Sequence, residues 1–172
     1  MGHLVGKDVY RRLWKKVDGL TIRTLWNKAF HDILKELYSP DEADVIVKMP
    51  YGASTFERVA KVTKYSNIKL KKLLDQLCTK GLVIDFFANN NYYYMPSPMV
   101  IGIFEFTMMR TGEGLNSKGW AKLFSQYFPG AFYAGNLSHD ETTSLMRTVP
   151  HDETIRQSPH VEVIDYEKAT SI

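Results

Sequence analysis

Residues 67–96 combine a helix with a hairpin, and this combination constrains the fold more than any other part of the chain. Leucines recur there at the spacing of one buried helix face, at Leu70, Leu73, Leu74 and Leu77. Gly81 follows where a helix often ends in a left-handed glycine. The next runs, "LVIDFFA" and "YYYM", are typical of strands. The asparagines 89–91 between them tolerate the positive φ of a tight hairpin.

Further helices are predicted immediately before this unit. Asn27 is a typical N-cap for "KAFHDILKELY", and Ser39-Pro40 begins a short helix that reaches about Lys48. Ser54 and Glu57 match the S-x-x-E capping box and predict the start of a helix over "TFERVAKVTK". The order of helices, turn, helix, strand, wing and strand is that of a winged helix-turn-helix, a three-helix core plus a β-hairpin wing.

Additional flanking helices are predicted on both sides of this core. Val9, Leu13 and Val17 have helical spacing, and Pro98 is predicted to begin an apolar helix, "MVIGIFEFTMMR". Asn116 is the predicted N-cap of a last helix. We therefore predict an α+β, mostly helical fold with four parts. They are a basic N-terminal helix or arm (1–26), a winged-helix domain (27–97), a helical extension (98–130) and an acidic, loop-rich tail (131–172). The ending "YEKATSI" resembles the start of another helix, so we expect a fragment of a longer protein.

Positive charge is concentrated in one part of the chain. The formal net charge is only +3, but residues 131–172 carry a net of −4, which leaves +7 for residues 1–130. Between Ser54 and Lys80 there are seven basic residues and two acids. A basic body with an acidic tail is the charge pattern that a function for this chain has to explain.

The predicted leucine-faced helix would turn a polar face outward. Its candidate DNA-binding residues are Asn67, Lys69, Lys71, Lys72 and Gln76, and the flanking candidates are Lys64, Asn89, Asn90 and Asn91. Lysines neutralise phosphates, and Asn or Gln pairs with adenine in the major groove. The alternative is a solvated charged face. It is favoured by the absence of arginine from this helix and by a wing tip without a cation.

The remaining residues predict no catalysis and no metal in this chain. No Ser/His/Asp or paired-carboxylate arrangement is recognisable, so we predict a noncatalytic chain. The two "HDET" sequences are more typical of polar surface loops than of a metal site, and the one cysteine, Cys78, is predicted to be a buried, inert thiol. No secretory signal is visible, and the most apolar run is too short and polar to cross a bilayer. We expect no membrane partner and a cytoplasmic location.

Several long strings of the sequence resemble a known family. They are "MGHLVGKDVYRRL", "KKVDGLTIRT", "ILKELYSPDEADVIVKMPYG", "GLVIDF" and "YYYMPSPMVIGIFEFTMMRTGE". Together they resemble the N-terminal region of ferredoxin-type 4Fe-4S iron–sulfur-binding proteins. The resemblance implies a winged-helix module followed by cysteine-rich segments that hold the clusters, which would begin after Ile172. It implies no cofactor in this chain and 4Fe-4S clusters in the full-length parent. Trp14 departs from the family pattern, in which a small residue such as glycine is expected, and this leaves the packing of the first helix open.

Two functions follow from these observations. The chain is predicted to be the noncatalytic N-terminal module of a 4Fe-4S ferredoxin-type protein that binds duplex DNA under redox control. The alternative is a docking or dimerisation module of an electron-transfer iron–sulfur protein, without DNA binding. Its partner would be a second copy of the chain or a redox protein, bound through apolar residues: Met99, Ile103, Phe104, Met108 and Trp120.

Overall fold

The computed structural model of the chain describes residues 9–20, 23–109 and 116–129. The predicted tail (131–172) and both "HDET" sequences lie outside the described residues.

The first three helices of the described chain pack together, with the first in contact with both of the others. They are α1 (Val9–Asp18), α2 (Lys28–Leu37) and α3 (Pro40–Lys48). The predicted caps are confirmed. The Asn27 side chain accepts a hydrogen bond from the backbone N–H of Phe30, and Ser39 forms a complete capping box with Glu42. These caps satisfy backbone N–H groups that a helix leaves unpaired at its first turn.

The predicted capping box at Ser54 is wrong. Ser54–Thr55 form a short strand, β1, and helix α4 (Phe56–Thr63) is capped by the Thr55 side chain, which accepts from the N–H of Arg58. Ser54 is buried and pairs with Tyr94 across the sheet. The prediction failed because Thr55 offers an equivalent hydroxyl one residue later, while the backbone of Ser54 is engaged in a long-range strand pairing.

The helix–hairpin unit has the predicted elements. Helix α5 (Asn67–Lys80) buries its four leucines and ends at Gly81, whose φ is 73°. Strands β2 (Val83–Ala88) and β3 (Asn91–Pro96) pair antiparallel, and β1 adds to the other edge of β3. The turn is formed by Asn89 and Asn90, with φ of 48° and 60°, while Asn91 belongs to β3.

The predicted helix from Pro98 is wrong over its first five residues. Met99–Ile103 is irregular, with non-helical backbone at three residues and a left-handed φ of 57° at Ile101. Gly102 packs so closely on the Pro98 ring that a Cβ would lie 2.8 Å from Cδ, and its N–H donates to the Glu105 carboxylate. The regular helix of this segment, α6, comprises only Phe104–Met108. An apolar run without clear periodicity could not reveal this break.

Helix α7 (Ser117–Tyr127) begins at the predicted cap, Asn116, and packs against α2 and α6. Trp14 of α1 packs against Trp26 in a tilted arrangement, with ring centroids 5.4 Å apart, and its indole N–H donates to the carbonyl of Thr24. The described chain is thus mostly helical with a three-stranded antiparallel sheet, which confirms the predicted α+β class.

Candidate nucleic-acid interface

Helix α5 separates an apolar inner face from a polar outer face. The five predicted DNA-binding residues of this helix are all exposed: Asn67, Lys69, Lys71, Lys72 and Gln76. The stripe opposite the buried leucines consists of Ile68, Lys72, Asp75 and Thr79, which are also exposed. The leucine spacing therefore predicted which residues of α5 would reach solvent.

An open groove of about 1210 Å³, the α5–hairpin groove, lies between the outer face of α5 and the hairpin. It brings together six of the predicted residues: Asn67, Lys71, Lys72, Gln76, Asn90 and Asn91. The first turn of α4 also contributes to its lining. Lys64, Lys69 and Asn89 are exposed but do not line this groove.

Two lysines of α5 are paired with the acidic first turn of α3. The Lys69 ammonium lies 2.7 Å from the Asp41 carboxylate and 4.9 Å from the centre of the Tyr65 ring. The Lys80 ammonium lies 2.7 Å from Glu42, whose side chain is only 3% exposed. Both residues lie at the edge of α5 that faces α3. They hold the two helices together, a role that the local lysine count did not reveal.

The other cations near α5 form no ion pair with α3 among the described residues. Lys71 pairs with Asp75 one turn further along, and this hydrogen bond raises the pKa of the lysine, so that it stays charged. Lys72 has no acidic partner among the described residues. The same holds, within that part of the chain, for three cations on α4 and at its end, Arg58, Lys61 and Lys64.

Aromatic side chains cover both faces of the hairpin. Phe87 and Tyr92 face each other across the strands, with centroids 5.1 Å apart and exposures of 60% and 57%. Phe86 and Tyr93 stack on the opposite face at 5.5 Å. Tyr92 lines the α5–hairpin groove, so this groove has an aromatic wall facing a charged helix.

The residues predicted for docking do not share one exposed surface. Met99 and Ile103 are buried in the core. Phe104 is partly buried between Phe124 and Phe128, at centroid distances of 5.0 and 4.7 Å. Met108 and Trp120 are also partly buried against the core. The strongly exposed apolar side chains near the groove are instead Ile68, Phe87 and Tyr92.

The chain's own residues do not fit a protein-ligated iron–sulfur cluster. Such a cluster is held by several cysteine thiolates, and the sequence has only Cys78. This thiol is partly buried rather than fully buried as predicted; its burial, together with the nearby Asp85 carboxylate, raises its pKa to about 12, so it is protonated at neutral pH. Within the described ranges, no three potential metal ligands converge. None of the described helices has the length and apolar character that a membrane span requires.

A scan against protein-family models found no match, and searches of curated proteins and of solved structures found no significant similarity either. The resemblance to ferredoxin-type proteins therefore stays a prediction from the sequence.

Proposed function

We propose that the described residues form a winged helix-turn-helix module that binds duplex DNA, with α5 in the major groove and the hairpin beside the backbone. The observation that carries this proposal is the orientation of α5. Its four leucines are buried, so Asn67, Lys71, Lys72 and Gln76 face a groove shared with the hairpin. A helix supported in this way suits the major groove, which admits one α-helix.

The polar residues of the groove have complementary roles in this proposal. Lys71 and Lys72 contact phosphates, and Asn67 and Gln76 offer the amide groups that pair with adenine. Asn90 and Asn91 line the hairpin side of the groove, and Lys64 and Asn89 are exposed just outside it, where contacts with the DNA backbone fix the register of the protein on the duplex.

The module belongs, in this proposal, to a longer cytoplasmic 4Fe-4S ferredoxin-type protein, in which it is the noncatalytic N-terminal part. This assignment rests on the sequence resemblance alone. The clusters would be held by segments outside this chain, and their redox state would control DNA binding.

The salt dependence of binding tests the proposal. Lys69 and Lys80 are paired with α3, so the cations left near α5 are Arg58, Lys61, Lys64, Lys71 and Lys72, opposed by Glu57 and Asp75. We therefore expect about three neutralised phosphates and a log–log slope near −3 for binding to mixed-sequence duplex DNA. The measurement is fluorescence anisotropy at several salt concentrations.

Two charge-removing variants sharpen this test. Lys72→Gln should reduce the size of the slope by about one. Lys122→Gln removes the same charge from an exposed position on α7, which does not line the groove, and should leave the slope unchanged. No binding at low salt, or a slope near zero, would refute DNA binding.

A second candidate function is self-association through β2. Strand β2 is one of the two edge strands of the described sheet. It pairs only with β3, and it exposes Phe86 and Phe87 in succession. An edge strand presents unpaired backbone groups, and two copies can pair antiparallel about a two-fold axis. Light scattering would show a mass that rises with concentration, and Phe87→Ser should shift the equilibrium to the monomer. A monomer at every concentration would exclude this function.

A further inference from the structure

Ile68 is the most exposed large apolar side chain that the structure describes. It lies in the first turn of α5, and 88% of it is accessible to solvent. The leucines of the same helix are at most 7% exposed. Ile68 therefore contributes almost nothing to the core, and its apolar surface is available to a ligand.

The residues around Ile68 indicate which kind of ligand could bind there. It lines the α5–hairpin groove together with Asn67, Lys71 and Lys72. An isoleucine side chain in a helix has essentially one preferred χ1 rotamer, so its Cγ2 methyl group is held in a defined position. A stiff apolar group between amide and ammonium groups suits a ligand that carries an apolar group on an otherwise polar, anionic surface.

Duplex DNA has this character in its major groove. Each base edge there presents hydrogen-bonding groups, and thymine adds an apolar C5-methyl group next to an acceptor. Phosphates flank the bases on both sides, where Lys71 and Lys72 would lie. Among the four bases only thymine carries a methyl group there, so an apolar side chain placed against it can distinguish thymine from the other bases.

We propose that Ile68 is a specificity-determining residue that contacts the thymine methyl group, which gives the module a preference for sites containing A·T pairs. This inference rests on the proposed DNA binding. It also explains why Asn67 is next to Ile68: the amide suits the adenine of the same or a neighbouring base pair.

The experiment compares two duplexes that differ only in this methyl group. One is a mixed-sequence duplex, and in the other deoxyuridine replaces every thymine, which preserves the charge and the base pairing. In anisotropy titrations of the full chain we expect about fourfold weaker binding to the deoxyuridine duplex for each thymine methyl contacted. Ile68→Ala should bind both duplexes equally, while Ile68→Val should retain part of the difference.

A matched control separates this contact from a general loss of apolar surface. Val62→Ala trims an exposed aliphatic side chain on α4, outside the groove, and should preserve the fourfold preference. Circular dichroism of each variant checks folding, which Ile68→Ala should not affect because the side chain is exposed. Equal binding of wild type to the two duplexes, or a preference that persists in Ile68→Ala, overturns the role of Ile68 and leaves DNA binding intact. No binding to either duplex at low salt overturns both proposals.

Discussion

Lys80→Met should be the most informative stability variant, because it isolates the more buried of the two ion pairs that join α5 to α3. The Lys80 ammonium donates to both carboxylate oxygens of Glu42, at 2.8 and 2.7 Å, and to the carbonyl of Leu37 at 3.2 Å. Glu42 is almost fully buried, and it also accepts from the backbone N–H of Ser39. Methionine retains the length and the helix propensity of lysine while it removes the charge.

The expected cost follows from which charge is left behind. Removing one partner of a buried pair costs about 3–5 kcal/mol, because the other charge stays uncompensated. The Lys80 side chain is 44% exposed, so water replaces part of the lost interaction. We therefore expect a loss of about 2–3 kcal/mol in the free energy of unfolding. In Glu42→Gln the ammonium that remains can turn to solvent, so this variant should lose less, about 1–2 kcal/mol.

Urea unfolding at neutral pH, followed by circular dichroism, measures both values. Lys72→Met is the matched control, since it removes an exposed lysine of the same helix that has no acidic partner among the described residues, and it should change the stability by less than about 0.5 kcal/mol. If Lys80→Met is as stable as this control, the ion pair does not stabilise the packing of α5 on α3. If Glu42→Gln is the more damaging change, burial of the carboxylate does not govern the cost.

Three further variants or measurements test local features of the fold. Gly81→Ala should cost about 2–3 kcal/mol in urea unfolding, because a Cβ at φ 73° is strained and would lie 2.5 Å from the Cβ of Phe106; no loss would contradict the left-handed cap. Asn90→Gly should stabilise the hairpin by about 0.5 kcal/mol, since glycine adopts its φ of 60° without strain, and a lower thermal midpoint would count against this turn geometry. Iodoacetamide should label Cys78 at least about 100-fold more slowly in the native chain than in urea, because burial and Asp85 raise the pKa of the thiol to about 12; the native rate should increase with pH, and an early plateau near neutral pH would be inconsistent with this environment.

Local patterns in the sequence determined the start of α2 and the secondary structure of the helix–hairpin unit. The leucine spacing of α5, the cap at Asn27, the glycine after Lys80 and the asparagine turn each depend on neighbouring residues, and the structure contains all of them. Such features can be predicted because the helix period, capping geometry and positive φ are properties of a few consecutive residues.

The tertiary structure alone decided what depends on distant residues. The pairing of Ser54 with Tyr94 moved the start of α4, and the contact of Gly102 with Pro98 interrupted an apolar run that otherwise suited a helix. Tertiary packing also buried Met99 and Ile103, so these two residues do not belong to an exposed docking surface as predicted.

The candidate site likewise has features that the sequence determined and features that only the tertiary structure decided. The sequence by itself determined which side chains of α5 point outward, because the buried leucine stripe leaves the opposite face to solvent. Which lysines remain available to a ligand was decided by the packing of α3, whose Asp41 and Glu42 pair with Lys69 and Lys80. The physical reason is that the outward direction of a residue is set by the period of its own helix, whereas its ion partner comes from another part of the chain that only folding brings within a few ångströms.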